Sequence, residues 1–365
     1  MIAPAPGSAV RATVTAEEVM VAADPVVEEP APLAPGEPIA GTPFVVVRLL
    51  GQGGMGEVYE VEHAALRKRA AVKVLHRRHH QRADLAVRLR DEARLAARLH
   101  HANLVEVFDL GVTEDGRPWF AMPLLRGRDL REELNRSGPL CAAKAIGLAV
   151  QALDGLAVAH AEGLVHRDVK LENLFLEESG TLKVLDFGVA KATSRAPRTD
   201  PGTPAGTPRS MAPEQCVGAG VDARADVYAV GLVLYELLTG RGPFDDFSSN
   251  DHALRFAHCT RAPLAPSRLA PAPLPPALDA LVLRALAKAP SARFPSAPEM
   301  ARALRRLLAR PRGRARASRR SPAPWQTVAA SALAVAFFAL GLAFGRMLPP
   351  AGAPDPAPIT ALTKL

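Results

Sequence analysis

Between Phe44 and about Arg310, the pattern of hydrophobic and polar positions changes from strand-like to helical. The first part holds short β-branched runs separated by turn-forming residues, which predict strands. The predicted strands are 44–50, 57–61, 70–75, 104–110 and 119–122, with one helix at 83–99. After Gly127, apolar residues recur every three or four positions, which is the helical period. The predicted helices are 142–161, 225–238, 278–287 and 297–308.

Strands followed by helices predict an α+β fold. A segment of about 265 residues is long enough to bury a substantial core, and we expect it to form two lobes. The first 43 residues lack any periodicity and contain eight prolines, six acidic residues and one basic residue, Arg11. This composition predicts a disordered acidic tail, and it has no signal-peptide pattern.

Near the C-terminus the charge pattern changes abruptly. Nine arginines and no acidic residue lie between Arg302 and Arg320, and no charged residue lies between Ser321 and Gly345. The apolar run 328–345 would span about 27 Å as a helix, enough for a thin bilayer. A buried core helix is the alternative, but the flanking arginines favour a transmembrane helix over 326–348.

More positive charge precedes this segment than follows it. We therefore expect a single-pass protein of the inner (cytoplasmic) membrane, with its folded part in the cytoplasm. The Arg-rich linker 310–325 would then meet the anionic leaflet, and 349–365 would form a short outer tail. An exposed basic helix end is an alternative interpretation of the arginines, and DNA binding a weaker one. We expect no nucleic-acid partner.

Composition adds further limits. The chain is 48% hydrophobic and 22% charged, which excludes a wholly disordered or fibrous protein. Cys141, Cys216 and Cys259 lie far apart, which excludes a zinc motif or a disulfide framework and favours a reducing compartment. The histidines within 76–80 stand among arginines, so we expect a solvated loop there rather than a metal site.

A glycine-rich segment lies between the first two predicted strands. Gly51, Gly53 and Gly56, with Val58, fit the pattern G-x-G-x-x-G-x-V. Glycines allow backbone amides to approach phosphates closely. A dinucleotide site requires a helix directly after the loop, whereas a strand follows here, so the pattern favours a flap over a nucleotide. A plain glycine turn is the alternative for this motif alone.

Two charged residues follow on apolar elements. Lys73 lies in the predicted strand 70–75, and a buried lysine must be paired. Glu92 lies on the inner stripe of the predicted helix 83–99, where it could pair with Lys73 and place the ammonium near phosphates. An edge-strand lysine in water is the alternative.

The strongest local pattern is His166-Arg-Asp168-Val-Lys170-Leu-Glu-Asn173, which follows an apolar helix. A second one, Asp186-Phe-Gly, follows the run Leu182-Lys-Val-Leu185, a further predicted strand. A carboxylate and an amide oxygen suit a hard cation such as Mg²⁺. Each motif alone could be a polar turn whose hydrogen bonds are satisfied, but the occurrence of all of them in this order by chance is very improbable.

Together these motifs closely resemble the protein kinase family, in particular the bacterial Ser/Thr kinases of eukaryotic type. The resemblance covers Phe44 to Leu308. It implies a two-lobed kinase fold, with a small β-rich lobe over 44–123 carrying one regulatory helix, and a larger helical lobe over 124–309.

The resemblance also implies roles for individual residues. Gly51, Gly53 and Gly56 would cover the phosphates of ATP, and Lys73, paired with Glu92, would bind two of them. In the large lobe, Asp168 would accept or orient the proton of the acceptor hydroxyl, and Lys170 would steady the γ-phosphate. Asn173 and Asp186 would hold Mg²⁺. The adenine pocket would be lined by Leu50, Val58, Ala71, Met122, Pro123 and Leu125.

Further expectations concern the segment that ends at Ala212-Pro-Glu214. Glu214 is expected to pair with Arg293, and Asp226 to brace the catalytic loop, which is the motif from His166 to Asn173. Arg167, directly before Asp168, suggests control by activation-loop phosphorylation. The candidate acceptors are Thr193, Ser194, Thr199 and Thr203. Ser210 departs from the larger residue usual in the family, which leaves the peptide specificity open.

The resemblance therefore implies a Ser/Thr protein kinase that uses ATP and Mg²⁺, phosphorylates its own activation loop and acts on protein substrates in membrane-linked signalling. The outer tail is too short for a sensor domain, so we expect the signal to arrive through a partner, through homodimerisation or from the cytoplasmic side. A kinase-fold scaffold without turnover is the main alternative. A small-molecule phosphotransferase and a basic membrane adaptor explain fewer of the motifs.

Overall fold

The computed structural model describes residues 31–53, 56–77, 83–186 and 208–309, without the side chains of Arg88 and Glu92. Its small lobe contains a five-stranded antiparallel sheet with the strand order β1-β2-β3-β5-β4. The elements are β1 (Phe44–Gln52), β2 (Gly56–His63), β3 (Arg69–Leu75), α1 (Ala83–Ala96), β4 (Asp109–Val112) and β5 (Pro118–Met122).

Each face of this sheet has its own apolar cluster. Helix α1 packs on one face, where Leu85 and Leu89 meet Leu75 and Phe120. This contact follows from the helical spacing of the apolar residues in α1, which places them on one stripe. The opposite face is covered by another cluster that includes Trp119.

The segment 31–43 contributes to the apolar cluster on the face opposite α1. Leu33 is 7% exposed and Ile39 1%, and both pack into the apolar cluster of the small lobe. The backbone N–H of Val46 donates to Glu37 O over 2.9 Å. The structure therefore differs from the expectation of a disordered tail up to residue 43, because two apolar side chains among the prolines are enough to anchor these residues.

The large lobe is helical, with a small three-stranded sheet of order β6-β7-β8. Its strands are β6 (Gly127–Asp129), β7 (Leu174–Glu177) and β8 (Leu182–Val184). Its helices are α2 (Leu130–Ser137), α3 (Ala142–Ala161), α4 (Pro213–Cys216), α5 (Arg224–Thr239), α6 (Asp251–Thr260), α7 (Pro276–Ala285) and α8 (Ala297–Ala309). The two-lobed α+β architecture expected from the sequence is confirmed.

Helices α3 and α5 form the centre of the large lobe. In α5 every residue from Ala225 to Thr239 is buried. A Cβ built on Gly231 would lie 2.9 Å from Ala285 Cβ, so the glycine permits the close approach of α5 and α7. Within the described part of the chain, only α3 is long and apolar enough to cross a membrane, and 56% of that stretch is buried in the lobe. The predicted membrane helix 326–348 lies outside the described residues.

One predicted strand is wrong. The segment 104–110 does not form a strand of the sheet; β4 starts only at Asp109. Leu104 instead forms an isolated parallel bridge with Val184 of the large lobe, and Val105 N–H donates to Val184 O over 3.2 Å. Leu104 and Val107 of this run are buried in the apolar clusters of the large and the small lobe, whereas Phe108 is 56% exposed. Apolarity alone does not distinguish such burial from burial in a sheet.

Candidate active site

The register of the small-lobe sheet places four predicted nucleotide contacts on one face. Val58 lies opposite Lys73, and Ala71 lies opposite Met122. Directly opposed residues of antiparallel strands point to the same side, and so do residues two positions apart in one strand. The sheet therefore brings these four side chains together, as a surface for a base and its phosphates requires.

The remaining residues predicted for the adenine pocket lie at the rim. Leu50 is 39% exposed near the end of β1. Pro123 follows β5 and is exposed, whereas Leu125 is half-buried. Proline keeps its carbonyl group although it lacks an N–H, so this position can still accept a hydrogen bond.

The three glycines of the glycine-rich turn are needed for different reasons. A Cβ built on Gly56 would lie 2.3 Å from Val74 O, so the sheet itself excludes a side chain there. Among the described residues, a Cβ on Gly51 would meet no atom within 4 Å, and one on Gly53 would meet Gly56 O at 3.9 Å. At Gly51 and Gly53 the space above the backbone is open, which is the condition for phosphates to approach.

Lys73 links the two lobes. Its Nζ lies 2.8 Å from Asp186 Oδ1, and the lysine side chain is only 9% exposed. The ammonium also lies 5.7 Å from the ring centroid of Phe120. The backbone of Glu92 is in α1, but its side chain is outside the described part, so the predicted Lys73–Glu92 pair stays a prediction.

Asp186 is held in an unusual backbone conformation with φ of 46°, which is rare for residues other than glycine. Burial opposes ionisation of its carboxyl group, but the Lys73 ammonium and its hydrogen bond outweigh this effect and lower the pKa of Asp186. The carboxylate is therefore charged and next to a cation, at the point where β8 ends and the two lobes meet.

The catalytic loop brings three of the predicted residues together. Lys170 Nζ lies 3.3 Å from Asp168 Oδ2. Asn173 Nδ2 donates to Asp168 O over 2.8 Å and to Asp168 Oδ2 over 3.3 Å. Because the amide nitrogen of Asn173 faces Asp168, its carbonyl oxygen is turned to the other side. The loop thus presents a carboxylate, an ammonium and an amide oxygen at short range.

This loop is braced from α5 by Asp226, which is 1% exposed. Asp226 accepts hydrogen bonds of 2.8 Å from the backbone N–H groups of His166 and Arg167, and its Oδ2 lies 2.7 Å from His160 Nε2. Arg167 has φ of 64°, an unfavourable conformation for a side chain of its size. A buried carboxylate with three partners can hold that conformation, so the predicted bracing role is confirmed.

The segment after the undescribed residues 187–207 is anchored by a buried ion pair. Arg293 donates to both carboxylate oxygens of Glu214 over 2.7 Å, and its side chain is fully buried. Gln215 next to it donates to Arg167 O over 2.9 Å. The predicted Glu214–Arg293 pair is therefore present, and the segment that carries it contacts the catalytic loop.

The candidate phosphorylation sites Thr193, Ser194, Thr199 and Thr203 lie outside the described residues. Sequence reasoning missed two residues that support this loop: Gln215, which donates to Arg167 O, and His160, which contacts Asp226. Their roles carry no sequence signal, because one is the last polar residue of an apolar helix and the other a plain polar side chain in α4.

Sequence comparisons agree with this geometry. The family described as the protein kinase domain matches residues 44–303. Serine/threonine-protein kinase Pkn1 of Myxococcus xanthus is 43% identical over 271 residues, which is 73% of this chain and 38% of that protein. Serine/threonine-protein kinase PknB of Mycolicibacterium smegmatis is 39% identical over 263 residues, 69% of this chain and 41% of that protein. The matched region is thus less than half of the length of these curated relatives.

Solved structures agree as well. A crystal structure of a mutant of the Mycobacterium tuberculosis PknI kinase domain superposes with a TM-score of 0.59 at 32% identity. It covers 76% of this chain and 100% of its own. The PknI kinase domain in another crystal structure has a TM-score of 0.57 at 31% identity, with 76% and 99% covered. The chain described here belongs to the protein kinase family.

Proposed function

We propose that this chain is a Ser/Thr protein kinase that transfers the γ-phosphoryl group of ATP to hydroxyl groups of proteins. The observation that carries the proposal is the convergence of Lys73 from the small lobe with Asp186 of the large lobe, beside a catalytic loop in which Asp168, Lys170 and Asn173 are in contact. Phosphoryl transfer requires mainly positioning and charge neutralisation, and this set of residues supplies both.

Each residue has a definite task in this proposal. The Asp168 carboxylate accepts the proton of the attacking hydroxyl or orients that hydroxyl. Lys170, whose ammonium already lies 3.3 Å from Asp168, offers a positive charge to the transferred phosphoryl group. Lys73 places its charge on the nucleotide phosphates, and the glycine-rich turn covers them. A lysine two positions after the catalytic aspartate is typical of Ser/Thr rather than tyrosine specificity within this family.

Asn173 and Asp186 would hold Mg²⁺. Within the described ranges no group of three or more His, Cys, Asp or Glu side chains is arranged to hold a metal ion. Magnesium in phosphoryl-transfer sites takes only one or two protein oxygens and completes its shell with phosphates and water, so an amide oxygen and a carboxylate fit it. The bound ion would neutralise the phosphate charge.

The test is incubation of the full chain with Mg-ATP, followed by mass spectrometric mapping of phosphate. The Lys73→Met and Asp168→Asn proteins are expected to lose phosphorylation while remaining folded. Lys68→Met and Asp154→Asn are matched controls, because Lys68 is exposed and Asp154 pairs with the exposed Arg305 of the large lobe. ATP binding without phosphate transfer in the unaltered protein would contradict the proposal and favour a scaffold.

We also propose that phosphorylation of the activation loop, at one or more of Thr193, Ser194, Thr199 and Thr203, orders the catalytic loop through Arg167. A phosphate would provide the guanidinium with a strong partner. If the mapped phosphates lie elsewhere, this regulatory proposal fails and the kinase proposal stands.

A membrane location is the further part of the proposal. The uncharged run within 326–348 and the arginines of 310–325 support a single-pass helix with the kinase domain on the cytoplasmic side. Aspartates in place of Val335 and Phe338 should release the full chain from membranes into the carbonate-soluble fraction, since each costs about 3 kcal/mol at the bilayer centre. Retention in the membrane fraction would contradict a spanning helix here.

A further inference from the structure

A buried polar chain runs from the segment before the first strand to the glycine-rich turn. The backbone N–H of Leu33 donates to the Tyr59 hydroxyl oxygen over 3.0 Å. That hydroxyl donates to Glu57 Oε2 over 2.8 Å. The other carboxylate oxygen, Oε1, lies 3.5 Å from His76 Nδ1, and His76 Nε2 lies 2.7 Å from Gly53 O. Four consecutive contacts therefore connect Leu33 with Gly53.

All three side chains in this series of contacts are buried. Tyr59 is 0% exposed, Glu57 5% and His76 8%, so the expectation that His76 lies in a solvated loop is wrong. Burial and the hydrogen bond with Glu57 raise the pKa of Tyr59 to about 12, against the opposing effect of the Leu33 N–H. The phenol thus keeps its proton and donates to the carboxylate. Buried polar groups without partners are costly, so each contact restrains the next one.

The last contact of this series, between His76 and Gly53, restrains the backbone of the glycine-rich turn at Gly53. A carbonyl oxygen accepts, so the Nε2 atom of His76 carries the hydrogen in this contact. Gly53 N–H in turn donates to Gly56 O over 2.9 Å. Gln52 also contacts the network, since its Nε2 donates to Glu57 Oε1 over 3.3 Å. A glycine backbone is otherwise free to rotate, and these contacts restrain it at Gly53 before a nucleotide binds.

We propose that His76 and Glu57 are positioning residues for the nucleotide: they hold the Gly53 carbonyl against the imidazole, and Tyr59 extends this restraint to the segment around Leu33. A carbonyl oxygen turned toward the phosphates would repel them, whereas one bonded to His76 is kept away. Binding then costs less conformational entropy, because the backbone at Gly53 is already restrained. This inference rests on the proposed binding of Mg-ATP.

A purely structural role for the network is the competing explanation, and the two roles predict different measurements. A structural role lowers the melting temperature and, through the smaller folded fraction, the apparent kcat, with no selective effect on KM for ATP. A positioning role raises KM for ATP and the Kd for Mg-ADP, with kcat and KM for the acceptor protein nearly unchanged.

The experiment compares His76→Ala, His76→Gln and Tyr59→Phe in the full chain, with His100→Ala as the control. His100 is an exposed histidine that also contacts a carboxylate, that of Glu106, away from this network. We measure Kd for Mg-ADP by calorimetry, KM for ATP, kcat and the melting temperature. His76→Ala should weaken nucleotide binding about tenfold, the equivalent of one buried hydrogen bond.

In His76→Gln the side-chain nitrogen can reach Gly53 O, so its nucleotide affinity should return to within about threefold of the unaltered protein. Tyr59→Phe keeps the ring but breaks both contacts of the hydroxyl, and should weaken binding by about threefold. It carries the test alone if His76→Ala does not fold. His100→Ala should leave every constant unchanged.

Equal nucleotide affinity in the unaltered, His76→Ala and Tyr59→Phe proteins would overturn this inference and leave the proposed kinase function intact. The same holds if His76→Ala lowers kcat and the melting temperature without raising KM for ATP, or if His76→Gln is no better than His76→Ala. Failure of the unaltered chain to bind Mg-ADP would instead refute the proposed function itself, and this inference with it.

Discussion

The Glu214–Arg293 pair offers the most demanding test of the fold. Arg293 is fully buried and donates to both oxygens of Glu214, and its remaining N–H groups donate to backbone carbonyls. The three carbonyl acceptors are those of Ala287, Arg224 and Lys288. Replacing Arg293 with methionine keeps most of the apolar volume but leaves a buried carboxylate and three carbonyls without this donor.

Breaking a buried ion pair by removing one partner costs about 3–5 kcal/mol. That is a large part of the total stability of a typical domain, about 5–15 kcal/mol. For a domain of this size each kcal/mol corresponds to about 2–4 °C, so Arg293→Met should lower Tm by roughly 6–20 °C. The double variant Glu214→Leu/Arg293→Met removes the orphaned carboxylate as well and should show an interaction energy of about 2 kcal/mol.

Thermal and urea unfolding of the full chain, followed by circular dichroism, measures both quantities. The control is Arg48, which contacts Glu60 at the same 2.7 Å but has a side chain that is 64% exposed. Arg48→Met should cost no more than about 1 kcal/mol, because solvent screens the pair. If Arg293→Met costs as little as Arg48→Met, or the interaction energy is below about 0.5 kcal/mol, burial does not make this pair important and the argument fails.

Three other predictions follow from single contacts. Asp226→Asn should lower kcat at least about tenfold with little change in nucleotide affinity, because Asp226 restrains the catalytic loop and not the nucleotide; an equal loss of affinity would contradict this. Gly56→Ala should lower Tm, whereas Gly51→Ala should keep Tm and weaken nucleotide binding, since only at Gly56 does a Cβ meet the backbone; the opposite ranking would refute the assignment. Burial, aided by a nearby lysine, lowers the pKa of His258 to about 3 from 6.5. The unfolded chain therefore binds a proton that the folded one does not, and stability should fall by up to about 1.4 kcal/mol per unit as pH drops from 6.5 toward 3. Urea unfolding at several pH values should show a flatter dependence in His258→Asn, and an unchanged slope would count against it.

Much of the fold and site could be read from local patterns. Helix α3 begins and ends where its apolar period predicts, at Ala142 and Ala161. The catalytic loop and Asp186 were recognisable because phosphoryl transfer needs fixed residue types at short, fixed spacing along the chain. Within the loop, the contact between Asp168 and Asn173 is also local, because these residues are only five positions apart.

Other features depend on contacts between residues far apart in the sequence. Residues 31–43 read as part of a proline-rich tail, yet Leu33 and Ile39 find a complementary apolar face that only the assembled sheet provides. The run after Leu104 read as a strand, because burial in the apolar clusters of the lobes and burial in a sheet leave the same apolar pattern.

The sequence by itself determined the order of the elements, the chemistry of the catalytic residues and the family resemblance, since all of these depend on residue type and spacing. Only the tertiary structure decided two polar contacts that the sequence did not indicate: Lys73 Nζ with Asp186 Oδ1 across the lobes, and His76 Nε2 with the Gly53 carbonyl. Such pairs form between residues brought together by packing, and the free energy of burying a polar group depends on the partner that packing supplies.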